Sequence, residues 1–397
     1  MLRMRYDLAR ELIRLLAGRK MFPSALHMFW RTVVLLLVLI PLSRADEETF
    51  YLGTFTHAPG GSQGIYVGSL DAETGKLGPL RLAAKEADPN FLALSPDHRF
   101  LFAALNEAVE SFAVRPDGTL RSLNQQSSGG GDTCHVSVDR AGHEVFVASY
   151  GSGSVEAFPV GADGTIGPYE AREVFTGSGP NQLRQKSPHA HSIYPDPENR
   201  FVYACDLGTD KIWIFRLGAK GGLTPADPPS AKVPPGSGPR HLLFDHSFVY
   251  VVNEMGVTTC VFQRDEGTGA LRLLETVDNI PSGAKEGSGS AEIALHRSGK
   301  WLYVSTRVQD VMTVFRVQRT DGAKRGLTFV QNIASPVMFP RSFGLDPSGR
   351  WLIVAGQNDN RISVMKIDAS SGRLGSTNEF ASVGSPVCVL FVPPSTP

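Results

Sequence analysis

Hydrophobic and polar positions along this chain fall into short blocks rather than a helical rhythm. From Thr49 onward, apolar runs rich in β-branched and aromatic residues are cut by Gly, Pro, Asp and Ser. Runs bounded in this way predict β-strands. Phe201-Val202-Tyr203-Ala204 and Phe248-Val249-Tyr250-Val251-Val252 are the clearest. After Ala45 no stretch repeats apolar positions at the spacing of an amphipathic helix.

The runs themselves recur about every 50 residues. Each unit holds an apolar run, a tight polar turn, a second run, a polar loop, a third run and an outer turn. The tight turns include Asp139-Arg140-Ala141-Gly142-His143, Asp196-Pro197-Glu198-Asn199-Arg200 and Asp346-Pro347-Ser348-Gly349-Arg350. Complete units run from Pro89 to Phe380. Thr49 to Leu82 supplies three strands of one more unit, and Pro386 to Val392 supplies its missing innermost strand. A four-stranded unit repeated at this period predicts a β-propeller. The expected fold is therefore all-β: a seven-bladed β-propeller, its ring closed by a C-terminal strand in the first blade. Closure of this kind pairs edges that would otherwise be exposed.

The ring accounts for residues 46–397 as one domain; residues 1–45 read differently. Trp30-Arg31 precedes the apolar run Thr32 to Leu42, and Ser43-Arg44-Ala45 follows. Charge, apolar core and small-x-small order are the pattern of a secretory signal peptide. The run is short for a bilayer span, which takes about 20 residues. The expectation is export to the periplasm or medium, with no stable membrane span after cleavage near Asp46.

Composition narrows the function. The formal net charge is zero and no long basic run appears, which argues against a nucleic-acid partner. Cys134, Cys205, Cys260 and Cys388 are far apart and form no C-x-x-C, so they read as buried small apolar residues. Neither a P-loop nor a dinucleotide fingerprint is present, and there is no G-x-S-x-G elbow. His189-x-His191 could offer two imidazoles to zinc, but no third ligand follows at a suitable spacing, so neither metal nor cofactor is expected.

The repeat also places reactive residues. Ten positions before each second strand lies the start of the innermost strand: Asn90, Cys134, His191, Arg240 (allowing for a shorter turn), Ala291 and Arg341. Six positions after the start of each second strand lie Asn106, Tyr150, Leu207, Glu254, Arg307 and Gln357, with Asp206 one earlier. Strands one and two are antiparallel neighbours, so both sets lie on one face of the ring. His191, Arg240, His241, Glu254, Glu292, Arg307 and Arg341 should then converge on one mouth of the channel. Singly, each could be a capped histidine or a structural ion pair, such as Arg240 with Glu254 or Glu292 with Arg307. Convergence of several ionisable groups points to a polar or anionic ligand.

The residues at these positions carry a resemblance. Tyr51-Leu52-Gly53-Thr54-Phe55-Thr56, Pro188-His189-Ala190-His191-Ser192, Asp206-Leu207-Gly208-Thr209-Asp210, Gly238-Pro239-Arg240-His241, Val252-Asn253-Glu254, Ala291-Glu292-Ile293, Ser305-Thr306-Arg307 and Pro340-Arg341-Ser342-Phe343 together resemble the lactonase family of seven-bladed propellers. That family includes propeller-type 6-phosphogluconolactonases and carboxymuconate lactonising enzymes. The resemblance implies hydrolysis of a small-molecule sugar lactone, with His191, Glu254, Arg240 and Arg307 as catalytic residues. His189, His241, Glu292, Arg341, Asp206 and Tyr150 would surround the substrate. A lactonising isomerase or a non-enzymatic binding module is the alternative. The chain departs from the family pattern at Thr306, Ser342 and Ser149. In the hydrolase reading His191 is the base, Glu254 orients it or shares that role, and Arg240 and Arg307 hold the oxyanion or an acidic substituent.

Overall fold

A computed structural model describes residues 47–394 apart from 59 and 321–323. The expected export signal lies outside the described residues. Among them stand seven four-stranded antiparallel sheets arranged as the repeat predicts. Blade 1 runs, from the channel outward, Pro386–Phe391, Glu47–Thr54, Gly64–Asp71 and Arg81–Lys85. The C-terminal strand thus pairs with the first strand of the domain, Tyr51 opposite Leu390. The other six blades follow in chain order. Their innermost strands are Phe91–Leu94, Thr133–Val138, Ala190–Pro195, Pro239–Asp245, Gly289–Leu295 and Pro340–Leu345. No helix among the described residues is long and apolar enough to cross a membrane.

The apolar runs are unbroken because each blade is covered on both faces. Along Phe201–Asp206 of blade 4, Phe201, Tyr203 and Cys205 join a core with Val249, Val251 and Phe262 of blade 5. Val202 and Ala204, pointing the other way, join Phe146, Ala148 and Val155 of blade 3. Side chains alternate along a strand, so a strand buried on both faces needs apolar residues at every position. Each such Val, Leu, Ile or Phe contributes about 1.5–3 kcal/mol. All four cysteines are free and buried, as their isolation in the sequence suggests.

The polar turns tie the blades together. Asp139 Oδ1 accepts hydrogen bonds from the backbone N–H groups of His143 and Glu144, at 2.6 and 2.9 Å. Asp196 does the same for Arg200 and Phe201, at 2.6 and 3.1 Å. Between blades, Tyr203 Oη donates to the carbonyl of Gly269 at 2.8 Å, and Tyr303 Oη to that of Gly372 at 3.0 Å. Gly372 has φ +68° and lies so close to Trp301 that a Cβ would collide with the indole. Turn conformation and close approach both demand glycine there.

One irregularity positions the site. In every blade but the second, the register slips where the innermost strand meets its neighbour at the mouth. Ala190 pairs with Asp206 and Ser192 with Cys205, leaving His191 as an extra residue. Arg240 is the extra residue in blade 5, Arg341 in blade 7 and Cys134 in blade 3. In blade 6 the slip spans Ala291 and Glu292. A bulge of this kind redirects its side chain and bends the strand.

Candidate active site

A pocket of about 330 Å³ opens at the mouth where these bulges lie. His191, Glu254, Arg307, Arg341, Tyr150 and Cys134 line it, with Asn90 and Asn106 of blade 2, Arg184, and Phe55, His57, Asp88 and Asp132. Antiparallel pairing accounts for the convergence. The bulges start the innermost strands, and Tyr150, Glu254 and Arg307 lie at or just beyond the ends of the second strands.

Glu254 is the hub of the site, and its side chain is almost wholly buried. Its Oε2 lies 2.8 Å from Arg307 Nη2 and 3.3 Å from Arg240 Nε. Its Oε1 accepts from Arg184 Nη2 at 2.9 Å. Burial pushes its pKa up, but the Arg307, Arg240 and Arg184 guanidiniums outweigh burial and hold it at about 2. Glu254 is therefore a carboxylate at neutral pH. With both oxygens engaged, it is poorly placed to take a proton.

His191 differs. Its Nε2 is 3.9 Å from Glu254 Oε2, beyond hydrogen-bond reach. Burial, with Arg240, His241 and Arg341 nearby, drives its pKa well below 6.5, so the ring is neutral. A neutral imidazole facing a polar pocket can accept a proton.

The remaining expected residues divide by depth. Arg240, 2 % exposed, sits behind the pocket wall; its Nη1 donates to the Ala291 carbonyl at 2.6 Å. His241 and Glu292 lie outside the pocket lining and meet each other, Nδ1 to Oε1 at 2.9 Å. Burial raises Glu292 to about 7. Glu292 thus partners His241, while Arg307 takes Glu254. His189 does not share a ligand position with His191: it stacks on Tyr150 at 4.3 Å and its Nδ1 lies 3.0 Å from the Tyr150 carbonyl. Asp206 is occupied by its own turn. It accepts from the backbone of His189 and Gly208, from Thr209 Oγ1 and from Trp213 Nε1.

Arg184 is the principal residue that the repeat does not reveal. It lies on loop 175–189, longer than the loop at the same place in every other blade. Gln185 anchors this loop through Leu207 and Asp210, both at 2.8 Å. Arg184 reaches down to Tyr150 Oη, 3.0 Å, and to Glu254. The excess length of that loop was the available signal. Phe55 was also within reach, since it lies six positions after Thr49 in blade 1. Cys134 is buried as expected and additionally lines the pocket.

Comparison with known proteins agrees with the motifs. Residues 49–391 match the family described as Lactonase, 7-bladed beta-propeller. The chain is 33% identical over 349 residues to the 6-phosphogluconolactonase of Bacillus subtilis (strain 168), covering 86% of this chain and 97% of that protein. It is 32% identical to the 6-phosphogluconolactonase of Pectobacterium carotovorum (strain PC1), covering 83% of this chain and 95% of that protein. The structure of the Pseudomonas aeruginosa periplasmic gluconolactonase superposes with a TM-score of 0.81 at 32% identity, covering 87% of this chain and 99% of that one.

Proposed function

Because the chain belongs to the lactonase family of seven-bladed β-propellers, we propose that it hydrolyses a sugar lactone of the 6-phosphogluconolactone type to the open-chain acid. One observation carries this reading: a neutral His191 and a cation-bound Glu254 face the same pocket, flanked by Arg307. Ester hydrolysis needs a proton acceptor for water and fixed positive charge for the oxyanion.

In this mechanism a water lies between His191 Nε2 and the lactone carbonyl. As the water oxygen bonds to the carbonyl carbon, His191 takes one of its protons and the carbonyl electron pair moves onto oxygen. Arg307 stabilises that oxyanion. Collapse restores the carbonyl and breaks the ring C–O bond, and the departing oxygen recovers the proton from His191. Water is thus added across the ester bond. Glu254 holds the guanidiniums in place, and Arg240 supports Glu254 from behind. Tyr150 and Arg341 line the cavity; His189 fixes Tyr150. His241 packs edge-on against the His191 ring and is held by Glu292.

The test is a panel of purified lactones, with and without phosphate and including a dicarboxylate lactone, followed by acid release at fixed pH. Sugar lactones should be hydrolysed well above the spontaneous rate. Turnover of the dicarboxylate alone would favour the isomerase, and no turnover at all would favour a binding module.

We also propose export, with residues 1–45 removed and 46–397 as the mature domain. The order of Arg31, Thr32 to Leu42 and Ser43-Arg44-Ala45 supports it, as does the likeness to a protein described as periplasmic. N-terminal sequencing of protein from the native host should begin near Asp46; a mature chain retaining Trp30 to Ala45 would contradict cleavage.

A further inference from the structure

The four guanidiniums around the pocket are not equivalent. Arg184, Arg240 and Arg307 all lie within ion-pair distance of Glu254. Arg341 does not. Among the described residues its recorded contact is with an aromatic face, its guanidinium carbon 5.4 Å from the Phe55 ring centroid. Yet it is partly buried, lines the pocket, and is directed there by the bulge at the head of the blade 7 innermost strand.

Its surroundings suit an anion. Asn90 and Asn106 line the same cavity and bring amide donors to it. Asp88, which also lines the pocket, is already matched by His57 at 2.6 Å and by Thr56. Asp132 is exposed at the rim. Around the ionised Glu254, Arg184, Arg307 and Arg341 line the pocket and Arg240 backs its wall, so this part of the cavity is net positive. Burial, Arg240 and Arg307 press Arg341 down to about 9, outweighing the attraction of Glu254. Guanidinium suits phosphate and carboxylate through paired N–H donors.

We propose that Arg341 forms a subsite for an anionic substituent of the substrate, a phosphate monoester or a carboxylate remote from the lactone carbonyl. The inference rests on the lactonase reading for the identity of the substrate. In it His191, Glu254 and Arg307 engage the ester, and Arg341 grips the anionic substituent. Arg341 is then the residue that separates phosphorylated from unphosphorylated sugar lactones.

The test uses the intact domain and binding as well as turnover. Calorimetry with 6-phosphogluconate, glucarate and gluconate compares a phosphate, a carboxylate and a hydroxyl at the same carbon, each ligand keeping its other carboxylate. The expected result is tighter binding of 6-phosphogluconate or glucarate than of gluconate, by roughly 10- to 100-fold for a charged hydrogen-bonded contact. Which of the two wins identifies the anion. Arg341→Ala should erase that preference, Arg341→Lys should restore part of it, and His191→Ala should retain it. In kinetics, Arg341→Ala should lower the ratio of kcat/KM for phosphorylated over unphosphorylated lactone by a similar factor. Thermal unfolding of Arg341→Ala verifies that the variant is folded. Anion preference that depends on Arg341 in a protein hydrolysing no lactone would refute the lactonase reading and leave the subsite standing. Lactone hydrolysis with the same anion preference in wild type and Arg341→Ala, or with none in wild type, would overturn the subsite.

Discussion

Arg264 and Glu254 lie at opposite faces of blade 5, each buried among groups of opposite charge. Arg264 ends the third strand, Thr258–Arg264, and its Nη1 and Nη2 lie 2.6 Å from Asp196 and 2.7 Å from Glu198. Glu266 stands further off at 3.9 Å. There one cation is surrounded by carboxylates that leave no positive charge to spare. Around Glu254 the proportion is reversed: one carboxylate holds three guanidiniums, a fourth stands unpaired beside it, and the whole opens on a pocket. The chemistry of each pair is the same. What differs is the balance of charge and the presence of a pocket. An acid-rich cluster whose outer carboxylates, Glu198 and Glu266, reach solvent joins blades 4 and 5, whereas a cation-rich one opens on a pocket, where its excess positive charge suits an anion from outside the chain.

The sharpest way to break this comparison is to neutralise each hub. Glu254→Gln should lower kcat by roughly 10²–10⁴. It should also destabilise the fold by about 3–5 kcal/mol, because three guanidiniums lose their counter-charge. Arg264→Met should destabilise by a similar amount, about 3–5 kcal/mol, with kcat on the lactone unchanged. Steady-state kinetics beside chemical denaturation checks both. A rate loss in Arg264→Met matching that of Glu254→Gln would erase the distinction.

Acid sharpens it further. Glu254 titrates at about 2 in the fold against an ordinary 4.5, so its contribution to stability is present above pH 4.5 and is lost as pH falls toward about 2. The stability gap between wild type and Glu254→Gln should be constant above pH 4.5 and shrink below it. Glu292 has the opposite sign. Raised from 4.5 to about 7 by burial, it favours the fold when protonated, and that contribution is lost as pH rises from 4.5 through about 7. Glu292→Gln should therefore gain stability relative to wild type as pH rises through that window. Denaturation series against pH measure both slopes.

The smallest expected effect belongs to the closed scaffold. Tyr303→Phe removes one buried hydrogen bond to Gly372 and should cost about 1 kcal/mol without changing KM or kcat.

Much of this architecture was legible because it repeats. Tight turns such as Asp196 to Arg200 and apolar runs such as Phe201 to Ala204 report local rules, and their period gives the ring. Counting from those turns also located the bulge residues His191, Arg240 and Arg341, since every blade places its mouth at the same offset. Depth was not legible. Arg240 and Arg341 occupy equivalent positions, yet one is sealed behind the wall and the other faces the cavity. Whether Glu292 chose Arg307 or His241 depended on how neighbouring blades lean together. Arg184 escaped the count altogether, because it belongs to a loop that breaks the repeat, and Glu254, its partner, is 70 residues away.

The central claim is that the open cluster performs chemistry through His191, whose ring contributes little to holding the fold. Its most direct test is steady-state hydrolysis of 6-phosphoglucono- and glucono-δ-lactone by wild type and His191→Ala, with melting curves beside them. The account predicts a fall in kcat/KM of roughly 10²–10⁴ on whichever lactone wild type turns over, with the melting temperature within a few degrees. Wild-type kcat/KM in a folded His191→Ala protein would contradict it.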